Sequence, residues 1–411
     1  MDHRVTILEL LRGRSPVSRA ELAERSGLSP ATVSRAVDRL RADGLVREVP
    51  IASAGLGRPP RLVEFRPEAA YVVGVDAGGS LLRAVLADLE GTVRARAARP
   101  ASDPDDLGAI LRDVAEVVGE VEAAAGGRPV LAVSAGVSGI VDHAAGSVLL
   151  SPDLPGLDGA LLASLLGDAL GIPVVVDNDD LLAAIGEAAV GAARGCTDVA
   201  FLSLGYGLGA GLIVDGRPVR GASNAAGAIA YLAPGRLEER ASGRAIPIRY
   251  RDAILAAERG APEADERRSP GPVRSGSRRR GEADRASRLD ARGVFVLAAA
   301  GDPIAVAVVA DVADALGELV VNVAALLDPE VVVVGGGLAA NGAVLFDPLA
   351  RRLAETLPFP PRLVPSALEG AAVVHGAVSV ALAAAKQRLA GPGAQARAAP
   401  EPGRVGALDL V

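Results

Sequence analysis

The run Asp177-Asn178-Asp179-Asp180 has the residue types for moving a proton and for hydrogen bonding to hydroxyl groups. It follows the apolar stretch 173–176, which reads as a strand, and α/β sheets hold ligands just outside the carboxyl ends of their strands. Asp179 in such a place can act as general base towards a sugar hydroxyl, with Asn178 bonding a neighbouring hydroxyl. The same acids also suit the start of a helix over 180–193, whose first N–H groups want acceptors. Capping is the commoner use of such acids. Two glycine-rich turns offer a second chemistry. Asp76-Ala-Gly78-Gly79-Ser80 ends an apolar strand over 71–76 and precedes a second over 81–88. Its N–H groups and Ser80 can cradle a phosphate, with Asp76 turned to a metal ion. Hairpins also carry Gly-Gly-Ser for conformational reasons alone. Gly205-Tyr-Gly207-Leu-Gly209-Ala-Gly211 repeats the plan between strands at 199–204 and 212–214. Its spacing is compatible with a dinucleotide fingerprint, but no helix follows, so that reading is rejected.

A third chemistry belongs to arginine. The stretch 27–45, Gly-Leu-Ser-Pro-Ala-Thr-Val-Ser-Arg-Ala-Val-Asp-Arg-Leu-Arg-Ala-Asp-Gly-Leu, predicts a short helix. Ser29 caps it, Pro30 takes the first helical position, and Gly44 closes it. Val33, Val37 and Leu40 form the buried stripe. Ala31, Thr32, Ser34, Arg35, Asp38, Arg39 and Arg41 are left on the outside. Small residues admit a helix to the major groove of DNA, where hydroxyls and arginines meet base edges and phosphates. The bland alternative is a surface helix of a small bundle. Two helical segments precede it, at 5–12 and 18–26, the second with Ser18 and Glu21 as a capping box. Two helices joined at Gly27 give the helix-turn-helix pattern. Strand signals at 45–49 and 62–65 add a wing. Between them, Gly55-Leu-Gly-Arg-Pro-Pro-Arg61 is an extended arm whose Arg58 and Arg61 suit a minor groove. It reads equally as an interdomain linker.

Charge places the nucleic acid at one end. Residues 1–66 hold 12 arginines against 8 carboxylates, whereas the whole chain carries −7. A basic head on an acidic body confines such a partner to the head. Half of the 411 residues are hydrophobic, enough for two or three domains. Gly, Asp or Arg interrupts every apolar run before it reaches a membrane span. The first residues lack a signal-peptide pattern, and a cytoplasmic, membrane-free protein is expected. The single cysteine, Cys196, excludes internal disulfides and any multi-cysteine zinc site.

The elements that position these residues divide the chain as follows. Residues 1–66 are the winged helix-turn-helix with its arm. Residues 71–190 form a first α/β lobe and 191–385 a second, each opening on a strand, a glycine-rich turn and a strand. That repetition implies a duplication, with a cleft between the halves. Residues 258–292, rich in Glu, Asp, Arg, Ser, Pro and Gly, read as a disordered insertion, and 391–411 as a flexible tail.

In combination these motifs resemble the ROK family (repressor, open reading frame, kinase) over residues 4–385. The carriers are 27–45 with Gly57-Arg-Pro59; Val75-Asp-Ala-Gly-Gly-Ser80; Gly136-Val-Ser138-Gly139 with Asp142; Ser151-Pro-Asp-Leu-Pro-Gly156; Val176-Asp-Asn-Asp179; Leu204-Gly-Tyr-Gly-Leu-Gly209; Ser242-Gly-Arg-Ala245; and Asp328-Pro-Glu-Val331 before Gly335-Gly-Gly337. The resemblance implies an α/β fold: a winged helix-turn-helix followed by a two-lobed actin-like, ribonuclease-H-like sugar-kinase body. It implies dimers or tetramers on operator DNA and a sugar or sugar-phosphate effector near Ser138, Gly139, Asn178, Asp179 and Tyr231. The sequence also departs from the family pattern. A Glu-x-Gly-His motif should follow Ala226-Gly227, but Ala228 stands for the glutamate and Tyr231 for the histidine. Arg236 stands where a zinc-site cysteine is expected, and Leu181 where an asparagine is usual. These changes speak against zinc, against ATP as a cofactor, and against turnover with Asp179 as base. The resemblance implies a DNA-binding transcriptional regulator, a repressor of carbohydrate-related genes; the alternatives are an active ROK sugar kinase and a regulator without a sugar effector.

Overall fold

A computed structural model describes residues 3–50, 61–232, 237–260 and 289–390. At the N-terminus, α1 (His3–Leu11), α2 (Arg19–Ser26) and α3 (Pro30–Ala42) pack with a three-stranded sheet. That sheet has the order β1 (Val17–Ser18), β3 (Arg61–Phe65), β2 (Val46–Pro50). Local sequence sets the boundaries. The Ser18 side chain accepts from the Glu21 N–H, and Gly27 closes α2 at φ +67°. Ser29 accepts from the Thr32 N–H and caps α3, with Pro30 at its start. Val33, Ala36, Val37 and Leu40 are buried on the inner side of α3, with Ile7, Leu11 and Leu22 from the other helices and Val63 from the wing. The expected stripe is therefore the core-facing one.

The next sheet has the order β10 (Val174–Asn178), β7 (Val130–Val137), β4 (Tyr71–Ala77), β5 (Leu81–Asp88), β6 (Val93–Pro100). β4, β5 and β6 form an antiparallel meander, while β4, β7 and β10 run parallel. β7 is buried along its whole length. A strand covered on both faces reads as an unbroken apolar run. α4 (Leu107–Glu122) supplies Ile110, Val114, Val117 and Val121 to this core, and α5 (Leu162–Leu170) supplies Leu162 and Leu166. A small hairpin, β8 (Ile140–Asp142) with β9 (Ser147–Leu150), leaves the end of β7.

After α6 (Asp179–Val190) the pattern repeats. The second sheet has the order β13 (Arg217–Pro218), β12 (Leu208–Val214), β11 (Val199–Leu204), β14 (Val331–Gly335), β15 (Arg362–Pro365). β11 pairs antiparallel with β12 and parallel with β14, as β4 does with β5 and β7. The duplication expected from the two hairpins is thus present in strand order and direction. α7 (Leu237–Ala241), α8 (Ala245–Gly260), α9 (Ala291–Ala299), α10 (Pro303–Leu327) and α11 (Ala343–Thr356) complete this part. α10 buries Val308, Val312, Leu316, Leu319 and Val320 in the largest core.

The chain forms two compact units, 1–178 with 376–411 and 179–375. The expected lobe boundary at 190 moves to 178, because α6 packs on β11 and β12. Helix α12 (Ala372–Ala390) begins with the second unit and ends with the first. The expected insertion 258–292 is too long at both ends. α8 continues to Gly260, and α9 starts at Ala291 with Asp290 as its cap, accepting from the Gly293 N–H at 2.8 Å. The part between, like the tail 391–411, lies outside the described residues. No single helix among the described residues is long and apolar enough to cross a membrane.

Candidate functional site

On α3, Ala31, Arg35 and Arg39 are exposed and four residues apart, so they fall on one line along the helix. Neither arginine has an ion pair or hydrogen bond among the described residues. Ser29 Oγ and Thr32 Oγ1 lie 2.9 Å apart, so the two hydroxyls at the helix start share a bond. The side chain of Ser34 is half-buried and its carbonyl accepts from Arg19. Arg61 is 54% exposed, with Glu48 as partner at 3.4 Å. Arg58 lies outside the described residues.

Glu48 was not among the residues singled out from sequence, yet it gathers three arginines. Arg19 donates to it at 2.8 Å and to Asp38 at 2.7 Å. Arg41 and Arg61 approach it at 3.5 and 3.4 Å. The Arg19 guanidinium is the chief cause that holds the Glu48 and Asp38 carboxyls below their usual range. A sequence signal existed: strand alternation puts Glu48 on the same face as buried Val46, an uncommon place for a lone carboxylate.

In the first unit, Ser138, Gly139 and Asn178 come together beyond the carboxyl ends of β7 and β10. Asn178 Nδ2 donates to the Gly139 carbonyl at 2.9 Å, and Ser138 Oγ donates to Asp153 Oδ2 at 3.0 Å. Gly139 sits at φ +116°, and a Cβ there would lie 2.1 Å from the Leu150 carbonyl oxygen. Buried Asp177 accepts from the Asn178 N–H, and its other oxygen is 3.1 Å from His143 Nδ1 without hydrogen-bond alignment. His143 and Asp153 were missed in the sequence, because each meets its partner across the fold.

Asp179 and Tyr231 belong to the second unit. Asp179 is the first residue of α6, and its Oδ1 accepts from the Asp180 N–H at 3.0 Å. Tyr231 is 69% exposed on a short 3₁₀ turn, and Ala228 precedes that turn.

The two glycine-rich turns are shaped by packing. Asp76 pairs with Arg83, its cross-strand neighbour, at 3.1 Å. Burial pushes the Asp76 carboxyl up to about 6, against the opposing pull of Arg83. A Cβ on Gly78 would meet the Leu81 carbonyl oxygen at 2.9 Å, and one on Gly79 the Asp153 carbonyl oxygen at 2.9 Å. Ser80 is exposed at the tip. In the second turn, the Gly205 N–H donates to the Gly207 carbonyl, and Gly205 in turn accepts from the Gly243 N–H. A Cβ on Gly209 would collide with Asp180 Oδ2 at 1.7 Å, and one on Gly207 would come within 3.2 Å of Glu238. Arg244 covers the Tyr206 ring at 5.7 Å and donates to Glu238 at 2.9 Å.

Among the described residues, no group of three or more His, Cys, Asp or Glu is placed to hold a metal ion.

The sequence model of the ROK family matches residues 72–384. The chain belongs to the ROK family. A winged helix-turn-helix DNA-binding model matches residues 2–47 of this ROK-family chain. It is similar to the xylose repressor of Caldicellulosiruptor bescii, at 28% identity over 56% of this chain and 58% of the repressor. A putative xylose repressor of Caldicellulosiruptor sp. is 25% identical over 85% of this chain and 86% of its own length. The glucokinase of Streptomyces coelicolor is 28% identical over 68% of this chain and 86% of the kinase. This ROK-family chain thus spans little more than half of the C. bescii repressor that it matches. Among solved structures, a ROK family transcriptional regulator described as a homolog of E. coli MLC protein shares the fold. Its TM-score is 0.73 at 23% identity, covering 94% of this chain and 98% of that one. A ROK family glucokinase from Streptomyces griseus in complex with glucose and AMPPNP has a TM-score of 0.61 at 27% identity, covering 75% and 98%.

Proposed function

We propose that this chain is a DNA-binding transcriptional repressor of sugar genes, whose kinase-like body assembles dimers or tetramers and senses a sugar or sugar phosphate. The observation that carries this reading is the exposed line Ala31, Arg35, Arg39 on a capped helix in a winged helix-turn-helix. Two arginines without carboxylate partners among the described residues stand there on a chain of net charge −7. The arm arginine Arg58 reaches the minor groove in this reading, and Arg61 the adjacent backbone. The resemblance to xylose repressors supports carbohydrate genes as the regulated class. The hydroxyl of Ser138 and the amide of Asn178 suit sugar hydroxyls, and Tyr231 offers an exposed aromatic face. Alanine at 228 cannot accept from a hydroxyl, so the effector is held differently from the family norm. An effector changes DNA affinity only through its different affinity for the DNA-bound and free states.

Zinc and ATP have no part in this reading. Asp179 retains the residue type of a kinase base, but without a glutamate and a histidine to hold the sugar the positioning that supplies much of a rate is lost. The test is an anisotropy titration of the full chain against duplexes selected from a random pool, at fixed and at varied salt. Affinity should fall steeply with salt, as phosphate contacts release counterions. Arg35→Ala should cost about 1–3 kcal/mol of binding. A thermal-shift screen of pentoses, hexoses and their phosphates should find the effector. No retained duplex at low salt, or wild-type affinity in Arg35→Ala, would overturn the DNA assignment. ATP-dependent hexose phosphorylation that disappears in Asp179→Asn would make the chain a kinase instead.

A further inference from the structure

The arginines of the head fall into two sets. Arg35 and Arg39 on the outer line of α3 have no carboxylate partner among the described residues. Arg41 at the end of α3 and Arg61 at the start of β3 share one, Glu48, at 3.5 and 3.4 Å, and Arg41 also lies 3.9 Å from Asp38. Glu48 is itself fixed. Its side chain is 13% exposed, and Arg19 ties its other oxygen, at 2.8 Å, to Asp38 and to the Ser34 carbonyl of α3. Arg41 and Arg61 are more than half exposed, so water, salt and phosphate reach them freely. Glu48 stays with Arg19 when they leave.

We propose that Glu48 is an affinity-setting residue of the head: it withholds Arg41 and Arg61 from DNA, so that backbone phosphates must displace a carboxylate to engage them. The inference rests on the head being DNA-binding and adds where the restraint on that binding lies. Its chemistry is an exchange of anions. Each arginine gives up a carboxylate oxygen and takes a phosphate oxygen, and the carboxylate is left beside Arg19. Two consequences follow. The restraint acts on phosphates, so it is the same for any duplex sequence. It also orients the wing, because Arg61 leads into β3 from the segment 51–60 while Arg41 ends the recognition helix.

The experiment is a set of anisotropy titrations with the full chain, on a selected duplex and on an unrelated duplex of equal length. Glu48→Gln keeps the size of the side chain and one acceptor oxygen for Arg19, and replaces the other oxygen by an amide that donates and carries no charge. It should tighten binding to both duplexes by the same factor, roughly 3- to 30-fold for the release of two exposed pairs. The gain should vanish in the Arg41→Ala/Arg61→Ala background. Arg41→Ala alone should flatten the slope of log K against log salt by about 0.9, the share of one phosphate contact. Circular dichroism melts establish that each variant is folded. Should Glu48→Gln unfold the head, the Arg41→Ala slope decides by itself: an unchanged slope means a structural network and overturns the proposal. So does a folded Glu48→Gln that binds like wild type, or a gain that survives loss of both arginines. A wild-type chain that binds neither duplex defeats the DNA reading itself, whereas wild-type binding with no Glu48 effect defeats only this inference.

Discussion

Asp76 is a carboxylate buried beside Arg83, and burial raises it to about 6. An acid raised in the folded state holds its proton more tightly than in the unfolded chain, whose carboxyl keeps the ordinary value of 3.8. Its contribution to stability is present at low pH and is lost as the pH rises through about 6. Asp76→Asn removes the titration. The variant should therefore gain on wild type with rising pH, by roughly 1–2 kcal/mol between about pH 4.5 and pH 7.5. Urea unfolding of both proteins at the two pH values checks this. A stability difference that is the same at both would show that Arg83 compensates the carboxylate fully.

Whole elements were more legible than the contacts between them. The helix at Pro30–Ala42 was readable because its cap, its first-turn proline and its closing glycine are local signals, and α10 was readable from its proline start and apolar length. The two sheets were readable as strand–turn–strand repeats. The Glu48 cluster and the His143–Asp177 approach were not, since each joins residues distant in sequence. Asp179 illustrates the boundary case: the same spacing fits a base or a cap, and its Oδ1 accepts from the Asp180 N–H. Gly139 is a position where backbone geometry gives the prediction. Its φ of +116° and the Leu150 carbonyl at 2.1 Å from a would-be Cβ leave no room for alanine, and its own carbonyl anchors Asn178. Gly139→Ala should cost more than about 2–3 kcal/mol, through strain and overpacking together. Gly159→Ala, left-handed at φ +74° but with open space around it, should cost only about 1 kcal/mol. Equal melting temperatures for the two variants would contradict the close approach at Gly139.

At the scale of the molecule, the question is how the DNA-binding head is held on its body. Within the first unit the head does not hang on its arm alone. Val5 and Leu8 of α1 and Phe65 of β3 line an apolar cleft with Leu89, Leu382 and Leu389. Its rim carries the Glu9–Lys386 pair at 3.3 Å and the Gly13 N–H donating to Glu90 at 3.3 Å. Arg388, two residues on, donates to the Leu131 carbonyl at 2.7 Å and fixes the end of α12 to the sheet. The exposed pair contributes little by itself; the apolar contact is the main term. Leu382→Asp puts a charge into this cleft and should weaken the docking by about 2–4 kcal/mol, without touching α3. Hydrogen exchange reads the result element by element: amides of His3–Leu11 should lose protection at least tenfold, while those of Leu107–Glu122 keep theirs. Unchanged exchange in α1 would mean that the head is secured by other contacts.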